Sequence, residues 1–170
     1  MLDGFVLLFV GVVLILNSVW MFGKIADREI VLINLLVAII TFAVALKAAF
    51  GVDADLTSVK SAAMTLLFSV TYLWIATNRA FDFDGRGLGW YSLIVAVTVL
   101  PVCIQGLLVA DSLLTTWLAL SWGIWSGLWF MYFLLLTLHY PIQNATAWAT
   151  LFSGVFTGWL PAMLLLNGIS

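Results

Sequence analysis

Two stripes of aromatic side chains are the residues of this chain that suggest a binding chemistry. Trp122, Trp125 and Trp129 are spaced at i, i+3 and i+7, which places the three rings on one face of a helix. Phe68 and Tyr72 are spaced at i and i+4 and share a face of another helix. Aromatic stripes are also typical of ordinary packing between helices. Two of them in segments without any charged residue, however, favour a narrow, dry slot with aromatic walls.

An aromatic slot of this kind suits a flat, neutral and polarisable solute. The ring faces stack on the solute, while tyrosine or tryptophan tips and the amide of Asn17 replace the hydrogen bonds that the solute loses on leaving water. Ions are rejected, because nothing in the slot compensates for their desolvation. Urea and short-chain amides fit this description.

The elements that carry these stripes are predicted to be membrane-spanning helices. Hydrophobic residues make up 65% of the chain, charged residues make up only 8%, and the mean hydropathy is +1.20. Soluble domains, by contrast, carry about 25% charged residues, and a spanning helix needs about 20 apolar residues. We therefore expect an all-α transmembrane domain of six helices over residues 1–170. The predicted spans are 4–22, 30–50, 58–78, 88–109, 113–138 and 145–167.

Basic residues are distributed unequally between two sets of loops. Because the number of spans is even, both termini lie on the same side of the membrane. The loops 23–29, 79–87 and 139–144 carry Lys24, Arg28, Arg79 and Arg86, whereas Lys47 and Lys60 flank the loops 51–57 and 110–112. The excess of basic residues places the first set in the cytoplasm. The sequence thus predicts a multi-pass protein of the bacterial inner membrane with both termini outside.

The placement of charged residues argues against several function classes. The six basic and eight acidic residues lie near the amino terminus or in short clusters, so that no predicted span carries a charge centrally. Proton-coupled carriers commonly use a buried titratable group, and the candidates here, Asp111 and His139, lie at span ends. Sequence motifs of a membrane enzyme are also missing. The single cysteine, Cys103, and the net charge of −2 indicate neither a metal or cofactor nor a nucleic-acid partner.

Three regions of the sequence resemble the AmiS/UreI family of urea and short-chain amide channels. They are MLDGFVLLFVGVVLILNS at the start, LLFSVTYLWIATNRAF with WYSLIVAVTVLP in the middle, and WGIWSGLWF with TAWATLFSGVFTGWLPA at the end. Together these regions touch five of the six predicted spans, all except 30–50. The resemblance implies a six-helix protomer with its own pore, assembled into a hexameric ring in the lipid membrane.

The resemblance also implies which residues line that pore. They are Phe68, Tyr72, Trp122, Trp125 and Trp129, joined by Val10, Leu14 and Asn17 from the first span. We add Ser153, which stands where the acid-gated member in gastric bacteria has a carboxylate in its sixth span. That member also has a long outer loop with histidines after its second span, whereas AFGVDADLTSVK in this chain is short and contains none. Gating by external acid is therefore not expected.

Three functional hypotheses remain open on the sequence alone. The first is a passive, ungated or weakly gated channel that supplies urea or a short-chain amide to a cytoplasmic urease or amidase. The second is a proton-coupled transporter for small amides, which requires a titratable group inside a span. The third is a non-transporting membrane assembly subunit, in which the aromatic stripes serve packing alone. The absence of charge beside the stripes favours the first.

Overall fold

The computed structural model describes residues 2–169 and confirms an all-α bundle with six helices long and apolar enough to cross a membrane. The first five are α1 (Leu2–Met21), α2 (Ile30–Phe50), α3 (Leu56–Ala80), α4 (Arg86–Val109) and α5 (Leu113–Leu136). The sixth spans Gln143–Leu166 and has three parts. These are α6 (Gln143–Ser153), a π-helical segment (Gly154–Trp159) and α7 (Leu160–Leu166).

Side-chain caps determine where two of the helices begin. The side chain of Asp55 accepts a hydrogen bond from the backbone N–H of Ser58, and the Ser58 hydroxyl accepts one from the Asp55 backbone N–H. Ser112 and Thr115 make the same reciprocal arrangement at the start of α5. This capping box lets α3 begin at Leu56, two residues before the predicted start, because the orphan donors of the first turn are satisfied there.

The π segment lies where the first and sixth helices come closest together. A Cβ atom added at Gly11 would collide with the backbone nitrogen of Trp159, and one added at Gly158 would overlap the backbone of Gly11. Only glycine allows such an approach, as at many helix crossings in membranes. The contact places the buried side chain of Thr157, which belongs to the π segment, inside the bundle.

Several polar residues of the spans, among them Asn17, Asn34 and Ser69, are buried inside the bundle. Asn17 is 2% exposed and faces the interior as expected. Its amide exchanges two hydrogen bonds with that of Asn34 on α2, at 3.0 and 2.7 Å, and Asn34 also donates to the carbonyl of Ile30. Ser69 donates to the Ala38 carbonyl and joins α3 to α2. These bonds connect neighbouring helices without leaving an amide or hydroxyl facing lipid.

Charged side chains lie at the ends of the bundle. From residue 4 onward, no described helix contains an aspartate, glutamate or histidine. Asp111 lies between α4 and α5, and His139 lies in the connection between α5 and α6 with a left-handed backbone (φ 54°). The two candidates for proton coupling are therefore outside the helices.

Candidate functional site

Three cavities lie in series through the bundle. A cavity of about 710 Å³ opens near the loop between α2 and α3, and one of about 460 Å³ opens near the loops that follow α1, α3 and α5. A third, of only about 20 Å³, shares Phe68 and Trp125 with the first and Asn17, Ile75 and Tyr132 with the second. The small cavity thus connects two wide ones, and we call it the neck.

The larger cavity has apolar walls with a few hydroxyl groups. We call it the hydroxyl vestibule, after Ser58, Ser61 and Thr65, which line it. Val10 and Trp122 also line it. Described residues give this vestibule no acidic or basic lining side chain. It offers a neutral, partly hydrogen-bonding entrance to the neck.

Aromatic rings form the wall of the neck. The ring of Phe68 meets Trp125 edge to face at a centroid distance of 4.9 Å and an interplanar angle of 83°, and it lies 4.9 Å from the ring of Trp129. Trp122 packs edge-on against Trp125 at 5.0 Å. A space of about 20 Å³ holds about one water molecule. The neck therefore admits a small solute only when a ring or another side chain moves.

The polar tips of the two neck tryptophans are already occupied. The indole N–H of Trp125 donates to the hydroxyl oxygen of Thr157 at 2.7 Å, and that of Trp129 donates to Thr71 at 3.3 Å. Both N–H groups are thereby used by protein hydroxyls, that of Thr157 outside the three cavities and that of Thr71 in the lining of the neck. While these bonds are in place, the two tryptophan tips do not provide the hydrogen bonds to the solute that the sequence predicted.

Tyr72 and Asn17 keep hydrogen-bonding capacity in the neck. Tyr72 is 1% exposed, and its hydroxyl bonds to no described residue. No fully enclosed side-chain oxygen or nitrogen among the described residues lacks a partner, so the Tyr72 oxygen keeps some accessible surface. The hydroxyl therefore reaches the cavity. Asn17 uses one N–H and one oxygen lone pair on Asn34, which leaves a second N–H and a second lone pair. A neutral amide needs both kinds of partner.

The second wide cavity, the charged vestibule, is lined by Asp27, Arg79, Asp84, His139 and Gln143 among others. Arg79 approaches Asp27 at 3.6 Å and stacks over the ring of Trp20 at 5.3 Å, while the Trp20 indole N–H donates to Asp27 at 2.7 Å. These contacts join the ends of α1 and α3. They hold opposite charges against each other at the mouth.

A second ion pair lies beside the same mouth. The guanidinium Nε of Arg86 donates to Asp84 at 2.7 Å, and the Arg86 backbone N–H donates to the same carboxylate. These hydrogen bonds, the side-chain one first, lower the pKa of Asp84 below its ordinary value. The carboxylate is therefore ionised throughout the neutral and mildly acidic range.

Eight of the nine residues predicted from the sequence to line a pore line these cavities. Val10 and Trp122 line the hydroxyl vestibule, Phe68 and Trp125 line both this vestibule and the neck, and Leu14, Asn17, Tyr72 and Trp129 line the neck. Ser153 does not join them. It is 1% exposed and lines none of the three cavities, and its carbonyl accepts the hydroxyl of Thr157. The small side chain packs inside the sixth helix.

The sequence analysis missed several residues of the site. Tyr132 lines the neck and continues the α5 stripe, because it lies seven residues after Trp125. That spacing was a usable signal. Asn34, which binds Asn17, gave no comparable signal. The periodicity of one helix does not show which residue of another helix it will contact. Thr157 gave no signal either, because its partner Trp125 lies 32 residues away in the sequence.

Comparison with known proteins places these features in context. The AmiS/UreI family transporter profile matches residues 2–169. A Mycolicibacterium smegmatis protein named an amidate substrates transporter is 34% identical, over 98% of this chain and 78% of its own length. The acid-activated urea channel of Helicobacter pylori is 32% identical, over 95% of this chain and 96% of its own. The crystal structure of the urea channel from the same organism superposes with a TM-score of 0.85 at 30% identity, covering 99% of this chain and 98% of that one.

Proposed function

Because the chain belongs to the AmiS/UreI family of transporters, we propose that it is a passive channel for urea or a short-chain aliphatic amide. It is a multi-pass membrane protein of a transport family and not an enzyme. The relatives that transport urea or amidate substrates support the same range of solutes for this chain. In our proposal it supplies a cytoplasmic urease or amidase.

The observation that carries the proposal is the uncharged aromatic neck between two wide vestibules. A flat amide passing between Phe68 and the α5 rings exchanges its water shell for ring faces, the Tyr72 hydroxyl and the Asn17 amide. Polar solutes without a partner would pay the full desolvation cost in this space. Ions find no compensating charge there, since described residues place no acidic or basic group in the neck.

The positions of the titratable groups support passive transport over proton coupling. A proton-coupled mechanism needs a group that binds a proton at bilayer depth in one conformation and releases it in another. Asp111 and His139 lie in connections between helices, and the described neck holds neither acid nor histidine. A non-transporting assembly subunit would have no need for two vestibules that meet at a neck lined by the Tyr72 hydroxyl.

We further propose that external acid does not open this channel. In our proposed orientation, the protein lies in the bacterial inner membrane with both termini outside. The loop between α2 and α3 then faces out. Its Asp55 accepts hydrogen bonds from the backbone and hydroxyl of Ser58, which lower the pKa of this carboxylate. Asp55 therefore stays ionised well below pH 5, and this loop contains no histidine to take its place.

We propose that six copies of the protomer assemble in the lipid membrane into a homohexameric ring. Each copy has one pore, and residues 1–170 form a single channel domain. Membership of the AmiS/UreI family supports this proposal. Exposed apolar side chains along the membrane faces of α2 and α4 provide surfaces for lipid or for neighbouring copies.

The proposal is tested by solute flux in proteoliposomes. Purified protein reconstituted in lipid vesicles is mixed in a stopped-flow instrument with urea, acetamide or glycerol gradients, and light scattering reports the change in volume. We expect urea or acetamide to equilibrate much faster than in protein-free vesicles and glycerol to remain slow. Equal rates with and without protein for all three solutes would contradict the proposal.

A further inference from the structure

Three threonines bind the polar tips of three aromatic residues on one face of α5. Trp125 donates to Thr157 at 2.7 Å, Trp129 donates to Thr71 at 3.3 Å, and the Tyr132 hydroxyl lies 2.9 Å from that of Thr150. Trp125, Trp129 and Tyr132 all line the neck. Thr150 and Thr157 line none of the cavities, so their contact with the pore passes through the rings.

Each of these threonines has its own hydrogen committed elsewhere. Thr157 donates to the carbonyl of Ser153 at 2.6 Å, Thr71 to that of Leu67 at 2.7 Å, and Thr150 to that of Thr146 at 2.7 Å. A hydroxyl has one hydrogen and two acceptor positions. With the hydrogen directed to the preceding turn, the oxygen can only accept from the aromatic residue. The direction of the two indole bonds is thereby fixed, and the Tyr132 hydroxyl, which also lies 3.5 Å from Sδ of Met21, can donate to Thr150.

The threonines hold the α5 stripe from two sides. Thr150 lies in α6 and Thr157 in the π segment, whereas Thr71 lies in α3 on the other flank. Thr157 directly precedes Gly158, which lies in close contact with Gly11, and π segments of this kind often mark functional sites. The plane of each ring is set by an acceptor on a neighbouring helix, in addition to van der Waals contact.

We propose that Thr71, Thr150 and Thr157 are positioning residues that set the selectivity of the neck. By binding the indole N–H groups, Thr71 and Thr157 withdraw two strong donors from the solute and fix the tryptophan rings face-on or edge-on to the passage. The neck then discriminates by the thickness of the solute, and Tyr72 and Asn17 remain as its hydrogen-bonding groups. This inference rests on the proposed function.

Removing one acceptor without changing volume tests the inference. Thr157→Val replaces the hydroxyl by a methyl group, so that the Trp125 N–H loses its partner and turns toward the neck. Thr157→Ser retains the hydroxyl and serves as the conservative variant. Thr41→Val is the matched control, because Thr41 is equally buried and donates to carbonyls of its own helix, but binds no aromatic tip and lines no cavity.

The readout is the ratio of urea to glycerol permeability in proteoliposomes, with size-exclusion chromatography to confirm assembly. We expect Thr157→Val to lower the ratio by roughly three- to tenfold, the equivalent of one net hydrogen bond. Thr157→Ser should restore the ratio, and Thr41→Val should leave it at the wild-type value. If Thr157→Val does not assemble, Thr150→Val removes the partner of the Tyr132 hydroxyl at a residue that lines none of the three cavities, and it carries the same expectation.

Two negative results have different meanings. If the wild-type protein conducts neither urea nor acetamide, the proposed function is wrong. If the wild type is selective but Thr157→Val and Thr150→Val keep its ratio, or if Thr41→Val lowers the ratio as much as they do, the positioning role is overturned while the channel function stands.

Discussion

Replacing Tyr72 by phenylalanine isolates the contribution of one hydroxyl group to solute passage. This hydroxyl bonds to no described residue, and the side chain lies in a neck with room for about one water molecule. The substitution therefore breaks no hydrogen bond within the folded protein and leaves the ring contact with Phe68, at 6.3 Å between centroids, in place. We expect normal expression, normal assembly and unchanged thermal stability.

The expected effect on flux follows from what replaces the water in the neck. A passing amide that loses water needs the Tyr72 hydroxyl as a partner, and a net hydrogen bond contributes about 0.5–1.5 kcal/mol. When this hydrogen bond is lost only at the narrowest point, the free-energy barrier to permeation rises by the same amount. Such a rise corresponds to roughly two- to tenfold slower permeation. Glycerol, which our proposal excludes by its shape, should change less, so that the urea-to-glycerol ratio falls.

Tyr91→Phe is the matched control for this substitution. The Tyr91 hydroxyl donates to the Leu67 carbonyl at 2.9 Å, and Tyr91 lines none of the three cavities. Its loss should lower stability by about 1 kcal/mol and leave the flux unchanged. Stopped-flow scattering gives the permeabilities, and size-exclusion chromatography after a heating series gives the stability. Full flux and full discrimination in Tyr72→Phe would refute the assignment of this hydroxyl to the pore.

Three further outcomes follow from the same structure. Trp125→Ala should cost about 3–5 kcal/mol of stability and, in the fraction that assembles, bring glycerol permeability close to that of urea; retained selectivity would count against Trp125 as part of the neck. Gly11→Ala should destabilise the protein by about 1–3 kcal/mol in a heating series, whereas Gly127→Ala should not, because a Cβ atom at Gly127 meets nothing within 4 Å. Urea permeability should be the same at external pH 5 and 7.5, since the lowered pKa of Asp55 keeps its helix cap intact until the pH falls below that pKa; activation on acidification would disprove the ungated channel.

The sequence predicted the helices well because hydrophobic length is a strong local signal in membrane proteins. Clusters of charged residues separate most of the predicted spans, and the aromatic spacing on α5 identified the side of that helix that lines the neck. The inward orientation of Asn17 followed from the cost of an unpaired amide in lipid. These inferences need only the chain itself and the properties of the bilayer.

The direction of the polar tips could not be predicted, because it depends on pairs of residues distant in sequence. Trp125 and Thr157 are 32 residues apart, and Trp129 and Thr71 are 58 apart. Each threonine alone has the ordinary role of bonding to its preceding turn. The π segment that positions Thr157 was equally hidden, since its cause is the contact between Gly11 and Gly158 across two helices.

Passive permeation, the central claim, is tested most directly by measuring solute accumulation under an imposed pH gradient. Proteoliposomes containing the wild-type protein are given radiolabelled urea or acetamide, with the interior more alkaline or more acidic than the medium, and uptake is followed to its plateau. We predict that the internal concentration rises to the external one and stops there, with the same initial rate for either gradient and after addition of an uncoupler. Accumulation above the external concentration that the uncoupler abolishes would contradict the claim and establish proton coupling.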